Sequence, residues 1–153
     1  RGTGLSNTVS GRKWATAQAY ADEAIRKLDS IKFPRDIKSP IYYNIKLSAV
    51  VLSSSPDKKA DLLRIFNESI HQYPTYYFSY FIMLDLLQPK WFGEPGEWLR
   101  FVEEQVDAAK EDYADVLYTR LIWSMVDSDL DGDTSHRRML AIDFFYKYPE
   151  IDW

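Results

Sequence analysis

The tetrapeptide Pro-Ile-Tyr-Tyr at residues 40–43 returns as Pro-Thr-Tyr-Tyr at residues 74–77, an offset of 34 residues. Proline is favoured in the first turn of a helix and cannot continue a helix that precedes it, so each copy marks a place where one helix ends and another begins. The intervening residues accommodate one pair of helices. The repeat therefore predicts helical hairpins that stack on their neighbours.

Helical periodicity on both sides of this repeat predicts an all-α chain of about seven helices. No segment sustains the alternation of apolar and polar residues that indicates a strand. The helices are expected over residues 11–29; over 41–52, behind a Ser39 cap; from Ser55-Pro56-Asp57, with Ser55 as the cap, to about Tyr73; over 75–88; from Pro95; over 113–126; and over 134–146.

The spacing and the helix pairs over residues 40–149 resemble the tetratricopeptide superfamily. With Pro74 at the terminal proline of the unit, Phe66 and Ser69 fall at the aromatic and small positions of its second helix. Val50 and Ser53 depart from the pattern, because the family places a small residue and a tyrosine there. The resemblance implies antiparallel helix pairs stacked as a short solenoid.

A narrower resemblance lies in residues 87–93, Leu-Gln-Pro-Lys-Trp-Phe-Gly. This segment is similar to the Pro-Lys/Arg-Trp-Gly-Gly motif between helices of an uncharacterised bacterial family of helical-repeat proteins, with Phe92 in place of the first glycine. The family implies no known reaction. The loop itself has two interpretations: a rigid turn that packs Trp91 under a neighbouring helix, or an exposed aromatic site for a partner.

Residues 1–10 are polar, contain two glycines and have no helical period. They are interpreted as a linker or a processed N-terminus, which leaves residues 11–153 as a single helical-repeat domain. The longest apolar run, residues 76–84, is interrupted by Ser79 and is far shorter than the ~20 residues that a bilayer span requires. We therefore expect a soluble chain without membrane insertion.

The composition excludes several function classes. The chain of 153 residues has no cysteine, two histidines and a formal net charge of −4. Thiolate metal sites and disulfides are impossible, and general nucleic-acid binding is not expected. An enzyme that assembles carboxylates with His71 or His136 stays an alternative, as does a structural or regulatory domain of a longer chain. No spacing pairs either histidine with a serine or a carboxylate, so no catalytic residues are predicted.

Tyrosines and neighbouring aromatic residues are the candidate binding residues. A buried tyrosine must satisfy its hydroxyl group, so a large set of tyrosines is more easily placed along a half-wet groove than in a dry core. Grooves of helical repeats bind peptides in this way. The sequence therefore predicts a protein-binding or peptide-binding module with an aromatic-lined concave surface, against the alternative that the rings are purely structural. The candidates are Tyr42, Tyr43, Tyr76, Tyr77, Tyr80, Trp91 and Phe92.

An acidic segment between two predicted helices resembles the first half of a calcium-binding loop. Its spacing, Asp-x-Asp-x-Asp-Gly, directs carboxylates toward a hard cation. The second half departs from that loop, because Arg138 stands where a bidentate glutamate is expected. The alternative is an acidic turn in which Asp133 or Thr134 caps the last helix. The candidate metal ligands are Asp127, Asp129, Asp131 and Asp133.

Charge is distributed unevenly along the chain. Residues 1–60 contain 11 basic and 5 acidic residues, whereas residues 61–153 contain 8 basic and 18 acidic residues. In a repeat array the two ends would then carry opposite charge. This predicts head-to-tail self-association that salt weakens, or attraction of a charged partner to one end. The alternative is that these charges only keep exposed surfaces soluble.

Overall fold

The structure is a computed structural model that describes residues 10–34 and 37–127. Within these ranges the chain forms six helices and no strand, which confirms the all-α prediction there; the seventh predicted helix, over residues 134–146, lies outside them. None of the helices in these ranges combines the length and apolar character needed to cross a bilayer. The helices are α1 (Gly11–Ser30), α2 (Pro40–Leu52), α3 (Lys58–Gln72), α4 (Tyr77–Leu86), α5 (Glu97–Asp107) and α6 (Glu111–Asp127).

The first two helices begin and end within one residue of their predicted bounds. In α2 the Ser39 hydroxyl accepts a hydrogen bond from the backbone N–H of Tyr42, at 3.3 Å, and Pro40 occupies the first turn. The cap supplies an acceptor for an N–H group without a helical partner, while proline has no N–H to satisfy. Local sequence is therefore enough to place the start of this helix.

The third helix has a different cap from the predicted one. Its cap is Asp57, whose Oδ1 accepts from the backbone N–H of Ala60 at 3.1 Å. The hydroxyl of Ser55 instead donates to Asp61 Oδ2 at 2.7 Å. Because α3 begins at Lys58, the residue directly before it is the one whose short side chain reaches the unpaired N–H groups of the first turn.

The repeated tetrapeptide adopts two local structures. Residues 40–43 form the first turn of α2, whereas residues 74–76 form a turn and α4 begins only at Tyr77. Ser39 precedes the first proline and caps a helix, but Tyr73 precedes the second and has no side chain that can do so. The offset in sequence is thus not a repeat of local conformation, and the stacking of hairpins into a solenoid stays a prediction.

The chain divides into two compact units, unit 1 (Arg1–Ser79) and unit 2 (Tyr80–Trp153), with the boundary inside α4. In unit 1, α2 packs against both α1 and α3. Its buried apolar side chains include Tyr43, Leu47, Val50, Leu62, Ile65 and Phe66. In unit 2, α5 packs against α6. The buried apolar side chains of these two helices include Trp98, Phe101, Val102, Leu117, Leu121 and Ile122.

The loop between α4 and α5 requires glycine at one position of the predicted motif. A Cβ atom on Gly93 would lie 1.8 Å from the carbonyl oxygen of Leu87, far inside van der Waals contact. The N–H of Gly93 donates to the Gln88 carbonyl at 3.2 Å, and the N–H of Phe92 donates to the Leu86 carbonyl at 3.1 Å. The second glycine of the motif is therefore needed for close backbone approach, while Phe92 replaces the first.

Candidate functional site

Helix α2 buries its one charged residue and exposes isoleucines. Lys46 is 8% exposed, whereas Ile41 is 62% exposed and Ile45 is 50% exposed. The rest of the helix follows the normal pattern for a surface helix, because Tyr42, Tyr43, Leu47 and Val50 are buried; Lys46, Ile41 and Ile45 depart from it. These departures raise two questions: what stabilises the buried ammonium group, and why large apolar side chains of α2 face outward.

The outward residues of α2 form one narrow face. Residues 41, 45, 48 and 52 fall within an arc of about 60° at 100° per residue, and all four are exposed. Three of them are large and apolar: Ile41, Ile45 and Leu52. We call these three residues the α2 stripe. The fourth, Ser48, lies between Ile45 and Leu52. Exposed apolar side chains grouped on one face mark sites of protein interaction more often than scattered single residues do.

Two aromatic side chains of unit 1, Tyr76 and Phe78, lie beside the α2 stripe. Asn44, one residue before Ile45, donates from Nδ2 to Tyr76 Oη at 3.2 Å. The Tyr76 ring stacks on Phe78, with 6.1 Å between centroids and 29° between planes. Phe78 is itself exposed. These contacts fix two aromatic rings beside the side of α2 that carries Asn44.

The buried face of α2 carries Lys46 in a polar cluster with Tyr42 and Asp29. Tyr42 and Lys46 are four residues apart and therefore share a face of the helix. The Tyr42 hydroxyl donates to Asp29 Oδ1 at 3.0 Å, and Lys46 Nζ donates to Tyr42 Oη at 3.1 Å. Lys46 also forms an ion pair with Asp29 Oδ1, at the end of α1. The cluster joins α1 to α2 and neutralises the buried charge.

The two ionised partners shift each other's pKa. Partial burial by itself would raise the pKa of Asp29, but the hydrogen bonds from Lys46 and Tyr42 outweigh it and hold that pKa below its usual value of 3.8. Desolvation by itself would lower the pKa of Lys46, but its hydrogen bonds to Asp29 and Tyr42 hold that pKa above its usual value of 10.5. Both groups are therefore charged near neutral pH.

A pocket of about 310 Å³ lies beside this cluster, within unit 1. Its three carboxylates all have partners in the chain: Asp29 has those described above, Asp22 accepts from Ser54 Oγ at 2.6 Å, and Asp61 accepts from Arg64 at 3.2 Å. Three acidic and three basic side chains line it, so its formal charge is zero. The lining residues are Asp22, Ile25, Arg26, Asp29, Lys46, Val50, Ser53, Ser54, Ser55, Asp61 and Arg64.

The tyrosines predicted to bind a ligand lie mostly inside. Tyr42, Tyr43 and Tyr80 are buried, and Tyr42 and Tyr43 meet edge to face with 5.3 Å between centroids. The Tyr43 hydroxyl has no hydrogen-bond partner, and burial, followed by the nearby Glu68 carboxylate, raises its pKa to about 12. In the structure these three rings pack in the interior and offer no open surface to a ligand.

The other four predicted binding residues are more accessible. Tyr76, Tyr77 and Phe92 are half-buried, and Trp91 is 53% exposed. Trp91 therefore follows the exposed interpretation of its loop rather than the interpretation in which the ring packs under a helix. Tyr76 and Tyr77 lie in unit 1, whereas Trp91 and Phe92 lie in unit 2.

An outward apolar pair also occurs on α6, in unit 2. Val116 and Trp123 are seven residues apart, which places them on one face two turns apart, and both are exposed. The opposite face of α6 is buried and includes Leu117, Leu121 and Ile122. We call Val116 and Trp123 the α6 stripe. Trp123, at 65%, is the more exposed of the two.

The sequence prediction missed the α2 stripe because it used the tyrosines of residues 40–52 and not the other apolar residues. The signal was present, since this helix is apolar on all sides and has one charged residue, Lys46. A helix of that kind has to expose apolar side chains unless other segments surround it completely.

Metal and histidine sites receive no support from the part of the chain that the structure describes. There, no three side chains of the His, Cys, Asp and Glu types come together as a metal site. Of the predicted calcium ligands, Asp127 ends α6, while Asp129, Asp131 and Asp133 lie outside the described residues. His71 is exposed near the end of α3 and does not line the pocket; His136 lies outside the described residues.

Comparison of the chain with models of known families, with curated proteins and with solved structures finds no match.

Proposed function

We propose that the protein is a protein-binding module whose α2 stripe receives the apolar face of an acidic amphipathic segment. The observation that carries the proposal is that Ile41 and Ile45 face outward on α2, although the same helix buries Lys46. Exposed apolar side chains in one row on a rigid helix suit a partner that presents apolar residues at helical spacing.

Charge favours an acidic partner. Unit 1 contains 12 basic and 7 acidic residues, so its formal net charge is +5. Charges around an apolar contact raise the association rate and disfavour partners of like charge. A segment with acidic residues on its solvent face and apolar residues on the other would complement both features.

The proposal keeps the predicted ligand class, a protein or peptide, and changes the residues that bind it. Tyr42 and Tyr43 support the surface from inside, because their burial positions the helix that carries the α2 stripe. Tyr76 flanks the stripe through its hydrogen bond with Asn44. The binding energy is assigned mainly to the isoleucines, which have the largest exposed apolar area on α2.

A display library of random peptides, panned against the full chain, tests the proposal directly. Enriched peptides should have a net negative charge and apolar residues spaced by three, four and seven positions. Ile45→Glu places a charge in the centre of the α2 stripe and should weaken binding of the selected peptides by roughly tenfold or more.

Ile31→Glu is the matched control. Ile31 and Ile45 are equally exposed, at 49% and 50%, and both substitutions add the same charge to unit 1. Ile31 caps the C-terminus of α1 rather than lying on α2. The control should keep its affinity for the selected peptides within about twofold. An equal loss in both variants, or no loss in either, would refute the proposed surface.

A further inference from the structure

We propose that the acidic segment that binds the α2 stripe is α6 of a second copy of this chain, so that copies associate head to tail. The inference rests on the proposed function and adds the identity of one partner. In the contact, the α2 stripe of one copy would lie against the α6 stripe of the next.

The formal charges of the two units are opposite and large. Unit 1 carries +5, whereas unit 2 contains 7 basic and 16 acidic residues and carries −9. The charge asymmetry found on dividing the sequence at residue 60 is thus nearly the same when the chain is divided at the structural boundary between Ser79 and Tyr80. Unit 2 of one copy is thus an acidic partner for unit 1 of another, whereas contacts between two copies of the same unit are repelled.

The two faces can also meet through their apolar side chains, although exposed Arg120 lies between Val116 and Trp123 on the face of α6. The α2 stripe spans residues 41–52, or about 16 Å of helix, and the α6 stripe spans residues 116–123, or about 10 Å. The face opposite each stripe is buried, so each helix is fixed in place and only the face that carries its stripe is accessible to another chain. Trp123 is the most exposed side chain of the pair, and tryptophan is frequent among residues that dominate interface energies.

Contact between two different surfaces has a consequence for stoichiometry. Each copy that uses its α2 stripe leaves its α6 stripe open, so association continues beyond the dimer unless a ring closes. Sedimentation velocity should therefore show species heavier than two 18.0 kDa chains, with a mass that rises with protein concentration. Raising salt from about 20 mM to about 500 mM should dissociate them, because the Debye length falls well below 10 Å.

Two single-face variants separate this arrangement from every symmetric one. Ile45→Glu leaves the α6 stripe intact, and Trp123→Glu leaves the α2 stripe intact, so each variant alone should sediment as a monomer. An equimolar mixture should form a heterodimer and nothing larger, since one intact stripe of each kind remains. Ile31→Glu and Trp91→Glu, which change exposed residues outside both stripes, should associate like the unmodified chain.

Each other outcome overturns the inference. A monomeric unmodified chain at all concentrations and low salt refutes self-association. A mixture of the two variants that stays monomeric refutes the pairing of α2 with α6. Circular dichroism checks that the variants fold, and Ile45→Ser with Trp123→Ser repeats the test if the glutamate variants do not. Because the peptide library measures the α2 stripe separately, its binders and their loss in Ile45→Glu stand or fall independently of this result.

Discussion

Unit 1 and unit 2 differ in the number of their buried polar side chains and in the hydrogen bonds that these side chains make. Among the described residues, unit 1 buries Lys46, Ser53, Ser69 and Ser79, and unit 2 buries Gln88. In unit 1, Lys46, Ser69 and Ser79 have partners on other segments, and the hydroxyl of Ser53 donates to the Val50 carbonyl of its own helix. Each unit also contains one buried polar atom without a hydrogen-bond partner, the Tyr43 hydroxyl in unit 1 and the Oε1 atom of Gln88 in unit 2. Unit 1 is thus aligned by specific polar contacts, and unit 2 depends more on the fit of apolar side chains and on its loop.

The serines of unit 1 show what such contacts add. Ser69 Oγ and Ser79 Oγ share a hydrogen bond of 2.8 Å between α3 and α4, and Ser79 Oγ also donates to Asn44 Oδ1 at 3.4 Å. Buried hydrogen bonds stabilise only modestly, but any other alignment of the helices would leave these groups unpaired at a larger cost. Polar contacts therefore help to select one arrangement of the helices in unit 1.

The largest effect is expected from Asp29→Ala in unit 1. The substitution leaves the buried ammonium of Lys46 without its carboxylate and should lower the free energy of unfolding by about 2.5 kcal/mol, measured by urea denaturation. This is less than for a fully buried pair, because the Asp29 side chain is half-exposed and water screens its charge. Adding Lys46→Met removes the unpaired charge and should restore most of the loss. Glu23→Ala, which breaks the exposed ion pair with Lys27, is the control and should have no measurable effect. Equal stability of Asp29→Ala and the unmodified chain would contradict the role of the cluster.

The difference in stability between the unmodified chain and Asp29→Ala should depend on pH. The pKa of Asp29 is lower in the folded chain than the usual 3.8, so its stabilising contribution is complete above that value and disappears as pH falls through the folded pKa. Urea denaturation between pH 7 and pH 3 should therefore show the unmodified chain and Asp29→Ala converging at the acidic end. Parallel curves over the whole range would show that the Asp29 charge does not cause the difference.

The next effect is expected in the loop of unit 2. Gly93→Ala forces the loop to move away from the Leu87 carbonyl and should lower the free energy of unfolding by about 2 kcal/mol. Gly96 provides the comparison, because its φ of 75° is left-handed but no atom lies closer than 3.9 Å to an added Cβ. Gly96→Ala should cost about 1 kcal/mol from backbone strain. Thermal unfolding of both variants tests this order of the two losses in stability. A lower melting temperature for Gly96→Ala than for Gly93→Ala would contradict it.

The smallest effect is expected from Gln88→Met. The side chain of Gln88 is buried and donates to Asp85 Oδ1 at 3.1 Å, while its Oε1 atom is unpaired. Methionine loses that one hydrogen bond but also removes the unpaired acceptor, so the free energy of unfolding should change by less than about 0.5 kcal/mol. Urea denaturation is again the measurement. A loss as large as that of Asp29→Ala would show that unit 2 also depends on buried polar contacts.

Sequence reasoning predicted the helices more accurately than the surface. The start of α2 follows from Ser39 and Pro40, and the end of α3 before Pro74 follows from proline chemistry. These features depend on residues a few positions apart. The cap of α3 was assigned to Ser55 instead of Asp57, because both residues precede the helix and only its exact first residue distinguishes them.

The candidate surface was only partly predictable. The sequence indicated residues 40–52 as an important helix but not its orientation, and the tyrosines chosen from it are inside. Which face of an apolar helix is buried depends on which side chains the neighbouring helices place against it. Asp29, 17 residues before Lys46, supplies the partner that allows a lysine to be buried, and no local pattern in α2 reveals that pairing.

Periodicity, caps, prolines and charge counts act locally or by simple addition, and they are enough to predict the helical class, the bounds of α1 and α2 and the opposite charges of the two units. Contacts between helices, by contrast, place Lys46, Tyr42 and Tyr43 in the interior and leave Ile41 and Ile45 facing outward. The physical reason is that burial results from contacts between segments distant in sequence, and a charged group is buried where such a segment brings its counter-charge.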